Sequence, residues 1–308
     1  MKKHLSSILL GLIFLIGLSL LLYPTVSNYL NERNQTRAIA SYDKSVSELK
    51  STDYSKLISA AESYNRSLLA SGGNQFGAAT EADDKIYQAL LDPVGNGIMG
   101  TIDIPSIEVN LPVYHGTADT VLQVGVGHIE GTSLPIGGKG VHAVLSGHRG
   151  LPSSKLFTDL DQLVVGDTFT IKVLDQVLTY QVDQIKTVLP EETQDLAIDP
   201  EKDYVTLVTC TPYAINTHRL LVRGVRIPTP VQTEEKHAET VKNEKKHLSP
   251  LTISTMVAET VIAIFLVLIL INFLRSVFGK KKRKEKEVVK DQRIPDRNDH
   301  PDNGKDKG

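Results

Sequence analysis

Only one of the 308 residues is a cysteine, Cys210, and tryptophan is missing altogether. A single cysteine excludes an intramolecular disulfide and any zinc site built on several thiolates. Lysine and arginine number 34 against 36 aspartates and glutamates, a formal net charge of −2. That balance gives no general affinity for nucleic acid. There is no Gly-rich phosphate loop and no internal repeat. No cofactor is expected. The length allows one or two domains.

What the chain does have is two long apolar runs. Leu5 to Tyr23 is interrupted only by Ser6, Ser7 and Ser19, and Lys2 and Lys3 precede it. The run is about long enough to cross a bilayer, and its basic flank places the N-terminus in the cytoplasm. A cleaved signal peptide is the rival reading. Leu21-Leu22-Tyr23-Pro24 offers no clear small-x-small cleavage site, so an uncleaved anchor is favoured. The second run covers 251–274 and is clearest from Met256 to Leu274, with Glu259, Thr260 and Asn272 as interruptions. Glu259 suits a place near the outer interface. Arg275 and the block Lys280-Lys281-Lys282-Arg283-Lys284 follow. By the positive-inside rule both termini are cytoplasmic, and the residues between the spans lie outside the cell membrane. The basic block reads as a stop-transfer signal, with anionic lipid as its other partner. The tail after Val289 reads as disordered.

Between the runs, composition changes twice. From Asn28 to about Leu91 the chain is polar and rich in helix formers, with Ile39, Tyr42, Val46 and Leu49 at helical spacing. The stretch Ser71 to Gly77 breaks it, predicting two helices with a loop between them. Taken alone this region is a stalk. From Gly97 onward short strands alternate with turns. Ile98 to Ile104 is closed by Pro105, and Leu111 to Tyr114 begins another strand. Val124 to Leu134 is turn-rich and holds His128, a structural histidine by default. Phe169 to Val173 and Val177 to Val182 predict a hairpin across Leu174-Asp175-Gln176. Thr187 to Pro200 reads as a loop, and Val231 to Pro250 as a charged linker. Many short strands with Gly and Pro turns predict an all-β barrel.

Cys210 ends the strand-like run Val205 to Thr209, before Thr211-Pro212-Tyr213 stops the ladder. Arg219 to Arg223 then returns as a second strand. A lone cysteine is by default a small buried hydrophobe. Its strand-end position, with Arg219, Arg223 and Arg226 close in sequence, favours instead a thiolate, the nucleophilic form. Val141 to Leu145 alternates as a strand, and His148 follows it in a Gly-flanked turn. His142 lies inside that strand and ranks lower. If Cys210, His148 and Arg219 converge, the chemistry is acyl transfer through a thioester. The thiolate attacks a carbonyl, the imidazole exchanges protons with the amines, and the guanidinium steadies the developing oxyanion. No carboxylate to orient the histidine is evident. Asp203 is near the cysteine in sequence only.

The run Thr206-Leu207-Val208-Thr209-Cys210-Thr211-Pro212-Tyr213, then Asn216-Thr217-His218-Arg219-Leu220-Leu221-Val222-Arg223-Gly224, resembles the class C sortases. So does Ser146-Gly147-His148-Arg149-Gly150 followed by Leu151-Pro152. These are the pilin-polymerising members of the Gram-positive cell-surface cysteine transpeptidases. The resemblance covers about residues 97–228. It implies a closed β-barrel of about eight strands with short helices, preceded by a helical or lid region and flanked by two transmembrane helices. The layout is then 1–27 for the first span, 28–96 for stalk or lid, 97–228 for the catalytic barrel, 229–250 for a linker, 251–274 for the second span and 275–308 for the tail. It implies Cys210 as nucleophile, His148 as general acid and base, and Arg219 for the substrate or oxyanion. It implies pilin subunits carrying LPxTG-like sorting signals as donors, cut between Thr and Gly, and a pilin lysine as acceptor. A class C lid carries an Asp-Pro-aromatic motif. Here Asp92-Pro93 is followed by Val94 and lies just before the first core strand, so Phe76 is the other lid candidate. A sortase that anchors proteins to peptidoglycan and a non-catalytic membrane scaffold are the alternative functions.

Overall fold

A computed structural model describes residues 2–76, 81–230 and 267. The second apolar run apart from residue 267, most of the linker, the basic block with the tail, and Gly77 lie outside the described residues.

The first apolar run does not end where its hydrophobicity ends. Helix α1 is continuous from Lys2 to Ser47, with Pro24 inside it and no break at residue 27. Proline removes one backbone donor and tends to bend a helix rather than end it. Leu12, Leu15, Ile16, Leu20 and Tyr23 each expose more than half of their surface, so no protein core covers this part. Among the described residues it is the one helix long and apolar enough to cross a membrane. Helix α2 follows at Ser51–Ala70 and helix α3 at Glu81–Gln88. The expected pair of helices is therefore three, because the chain also turns at residues 48–50. Helix α2 stops at Gly72-Gly73, both at positive φ. The Gly73 N–H reaches the Leu68 carbonyl at 3.0 Å and that of Gly72 reaches Leu69 at 3.3 Å, a Schellman closure that needs a residue free to turn left-handed.

Eight strands close a barrel in the order β1-β2-β3-β4-β7-β8-β6-β5. They are β1 Ile98–Ile104, β2 Val109–His115, β3 Val126–His128, β4 Val141–Ser146, β5 Thr168–Val173, β6 Gln176–Val188, β7 Asp203–Thr211 and β8 His218–Ile227. The β5–β6 hairpin forms as expected, but β6 runs past Val182 to Val188. A bulge between Val182 and Gln184 resets its register, and it goes on pairing with β8 up to Val188 opposite Arg219. Strands β2–β3 and β4–β7 pair in parallel. Inward residues such as Leu145, Phe157, Phe169, Ile171, Val205 and Leu207 fill the barrel.

The C-terminal half of α1 lies along the barrel. The Tyr42 side chain is fully buried. Its hydroxyl donates to the Met99 carbonyl at 3.0 Å and accepts from the Leu174 N–H at 2.7 Å. Helix α3 is fixed by Tyr87, whose hydroxyl donates to His128 Nδ1 at 2.8 Å and accepts from the Gly116 N–H at 3.0 Å. His128 Nε2 then donates to the Ser133 carbonyl at 2.8 Å. This wiring suits a neutral imidazole, and His128 is structural, as expected of it. Burial pushes its pKa from 6.5 down to about 4.

The unfolded chain takes up a proton on this residue near pH 6.5, while the folded one resists until near pH 4. Stability is therefore full above pH 6.5 and falls between 6.5 and 4, by on the order of 3 kcal/mol from this group. His142, also shifted down by burial, acts in the same direction. Urea midpoints measured across that range should fall with pH, and His128→Gln should flatten the slope. An unchanged slope in the variant would assign the pH dependence elsewhere.

Candidate active site

Two strands far apart in sequence end side by side. In the parallel β4–β7 pair, Ser146 faces Val208. The ladder continues beyond the strand, since the Gly147 N–H bonds the Val208 carbonyl at 3.1 Å and Thr209 Oγ1 donates to the Gly147 carbonyl at 2.7 Å. The same register carried two residues further sets His148 beside Cys210. On the other side of β7, Cys210 is the direct antiparallel partner of Arg219 on β8. His148, Cys210 and Arg219 thus stand at one level on three neighbouring chain segments, about 5 Å apart from backbone to backbone.

Strand alternation decides which way the cysteine faces. Val205 and Leu207 point into the barrel core, whereas Val208 belongs to a second cluster on the outer face with Val144, Leu196 and Leu221. Cys210 shares the face of Val208. The thiol is free and half-buried, at the head of a small apolar floor outside the barrel. Arg219 has its Nη1 on the carbonyls of His218 at 3.0 Å and Asn216 at 3.2 Å, and no carboxylate partner among the described residues.

The remaining candidates separate from this level. Arg223 is spent on Asp183, through Nε at 3.0 Å and Nη2 at 2.8 Å, and stacks on the Tyr204 ring at 4.3 Å. Arg226 lies over Tyr180 near the other end of the barrel. Of the three arginines expected around the thiol, only Arg219 is there, because each strand residue advances about 3.3 Å. His142 is buried, with Nδ1 on the Ala197 carbonyl and Nε2 on Thr206 Oγ1, both at 2.8 Å. Asp203 begins β7 and accepts from Tyr180 and Gly138, roughly 23 Å of strand from Cys210. The carboxylate of Asp92 accepts from the backbone N–H groups of Val94, Gly95, Asn96 and Gly97, so it shapes the entry to β1, with Pro93 in the same turn. Phe76 lines a shallow groove with Thr193, Gln194 and Ile198. Its loop is tied to the His142 carbonyl through Asn74, several residues below the level of Cys210.

Arg149 is the residue that sequence reasoning left without a role. Its Nη1 donates to Thr211 Oγ1 at 3.1 Å and its Nη2 is paired with Asp161. The guanidinium is nearly buried and clips the turn after His148 to the residue after Cys210. The available signal was its place in Ser-Gly-His-Arg-Gly. Gly147 has an equally local reason. A Cβ there would fall 2.7 Å from the Phe157 ring, which fills the barrel directly beneath the His148 turn. Among the described residues no group of three or more His, Cys, Asp or Glu side chains is arranged to hold a metal.

A sortase-domain family model matches residues 102–227. Sortase A of Streptococcus agalactiae serotype III is 34% identical over 131 residues, 41% of this chain and 52% of that protein, so the chain matches about half of that relative's length. The crystal structure of sortase C1 from Streptococcus agalactiae is 52% identical, with 63% of this chain and 99% of that chain covered and a TM-score of 0.61. Sortase C1 of GBS Pilus Island 1 is 40% identical, with 67% and 98% covered and a TM-score of 0.58.

Gly147→Ala should cost about 1–3 kcal/mol in chemical denaturation, since either the Phe157 ring or the His148 turn must move. A fully stable variant would show that the turn has slack the geometry does not suggest.

Proposed function

The chain belongs to the sortase family of cysteine transpeptidases, and from that premise we propose that it joins pilin subunits into covalent polymers. The observation that carries the assignment of roles is the register that aligns His148, Cys210 and Arg219 on three adjacent segments. The sortase C1 neighbours, one of them named for a pilus island, support the pilin class.

In the first step the Cys210 thiolate adds to the carbonyl carbon of Thr in an LPxTG-like signal. The carbonyl electrons move to oxygen, where the Arg219 guanidinium, which has no carboxylate partner among the described residues, supplies donors to the oxyanion. On collapse the C–N bond to Gly breaks, and the leaving amine takes a proton from the His148 imidazolium. The Thr acyl group is then a thioester on Cys210. In the second step a lysine amine of another pilin attacks that thioester, gives its proton to His148 and expels the thiolate. The product is an isopeptide bond, and the thiolate–imidazolium pair is restored. The apolar floor of Val208, Leu221 and Val144 is the surface on which an apolar signal residue would lie.

Helix α1 anchors the enzyme in the membrane, and the apolar composition of 251–274 followed by the basic block favours a second span with that block inside. The Phe76 loop does not act as a lid over the thiol, because it is fastened at the His142 level.

Cys210→Ala, His148→Ala and Arg219→Ala should each abolish polymer formation while leaving the unfolding midpoint close to that of the parent. Mass spectrometry after incubation with an LPxTG peptide should find the acyl adduct on Cys210. Offering a pilin lysine and a peptidoglycan amine in competition decides the acceptor, and preference for the latter would make this a wall-anchoring sortase. Phe76→Ala should leave the rate of Cys210 modification by a methanethiosulfonate unchanged. A large acceleration would make that loop a lid after all.

A further inference from the structure

Helix α1 and the barrel share a direction. The early part of its docked half meets the segment after the His148 turn. Asn31 Nδ2 donates to the Ser153 carbonyl at 2.7 Å, Gln35 Nε2 to Ser154 Oγ at 3.3 Å, and Asn28 Oδ1 accepts from the Lys155 N–H at 2.9 Å. That segment is at the level of the site, because the Phe157 N–H bonds the His148 carbonyl at 3.1 Å. The later part of α1 meets the opposite end. Tyr42 and Asp43 hold Leu174 and Lys172, at the β5–β6 hairpin turn. That turn lies beyond the Thr179–Ile227 pair, while Val188 pairs with Arg219 at the site. Asn31 to Asp43 spans about 18 Å of helix, enough to run most of the barrel's height.

Upstream of Asn28 the same helix leads straight into the apolar run. Tyr23 and Tyr29, each more than half exposed, flank the junction, as aromatic residues do at a membrane–water interface. Tyr23 is only about 8 Å of helix from Asn28. A bend at Pro24 would tilt the barrel without exchanging its ends. At the Cys210 end, the connection from β7 to β8 carries Tyr213 and Ile215, both more than half exposed.

We propose that the Cys210 end of the barrel faces the bilayer, with Tyr213 and Ile215 seated at the lipid headgroup layer. The inference rests on α1 being a membrane span. A lipid interface accommodates a tyrosine ring with its hydroxyl in water and an isoleucine beside it. The β5–β6 hairpin turn is then the end farthest from the membrane.

The absence of tryptophan provides the test. Single-tryptophan variants of the full-length protein, reconstituted in phosphatidylglycerol–phosphatidylcholine vesicles, would be read by quenching with spin-labelled lipid, a label deep in the acyl chain for position 15 and a shallow one for the others. Leu15→Trp reports the span, Tyr213→Trp and Ile215→Trp the proposed surface, and Val177→Trp the opposite end. Quenching and a blue shift at positions 15, 213 and 215, with neither at 177, is the expected result. Quenching at 15 without quenching at 213 and 215, or quenching at 177 instead, overturns the orientation while leaving the span intact. No quenching at 15 removes the span, and the orientation with it.

Discussion

The parallel ladder between β4 and β7 is the constraint on which the rest depends. It joins two segments 62 residues apart and continues past the end of β4 through the backbone of Gly147 and the side chain of Thr209. Without it His148 would sit on a free turn. With it, the position of the imidazole relative to the thiol is set by backbone hydrogen bonds, which tolerate little variation. Arg149 adds a second tie on the far side of the same pair, and Phe157 fills the space beneath. The site is held by peptide geometry first and by side chains second, a secure basis for groups that must meet within fractions of an ångström.

Helices α1 and α3 each set a buried tyrosine hydroxyl against the barrel, Tyr42 for α1 and Tyr87 for α3. Each hydroxyl both donates and accepts, so neither leaves a buried group unsatisfied. Such contacts specify position more than they add stability, because a misplaced helix would strand the hydroxyl and its partners. His128 belongs to the same logic. It is among the most buried ionisable groups in the barrel and has no part in the proposed chemistry, whereas His148 is half-exposed at a strand end, where it exchanges protons in the proposed mechanism.

Much of this was legible in the sequence. Alternation and turn residues mark most of the strands, and Cys210 and His148 stand at strand ends by pattern alone. What the sequence could not supply was register. Arg223 and Arg226 look close to Cys210 along the chain, yet four and seven strand residues carry them about 13 and 23 Å from Arg219. Arg149 is adjacent to a candidate residue, but its partners Thr211 and Asp161 are brought to it only by the barrel's closure. The helix of α1 outruns its apolar segment because tertiary contacts at Asn31, Gln35 and Tyr42 hold its polar half against the barrel, and no local signal records those contacts. The Tyr87–His128 pair joins elements 41 residues apart and is equally invisible beforehand.

An unbroken α1 also changes the entropy of the encounter. A barrel on a flexible tether would sample a broad range of heights and tilts, and that freedom would be lost each time a substrate engaged. A helix that passes from the apolar run into the barrel's side without a loop has surrendered those motions during folding. With α1 as the proposed membrane span, what remains is rotation about the membrane normal and lateral drift, so the proposed donor and acceptor, where held in the same plane, meet the protein by a search in two dimensions rather than three.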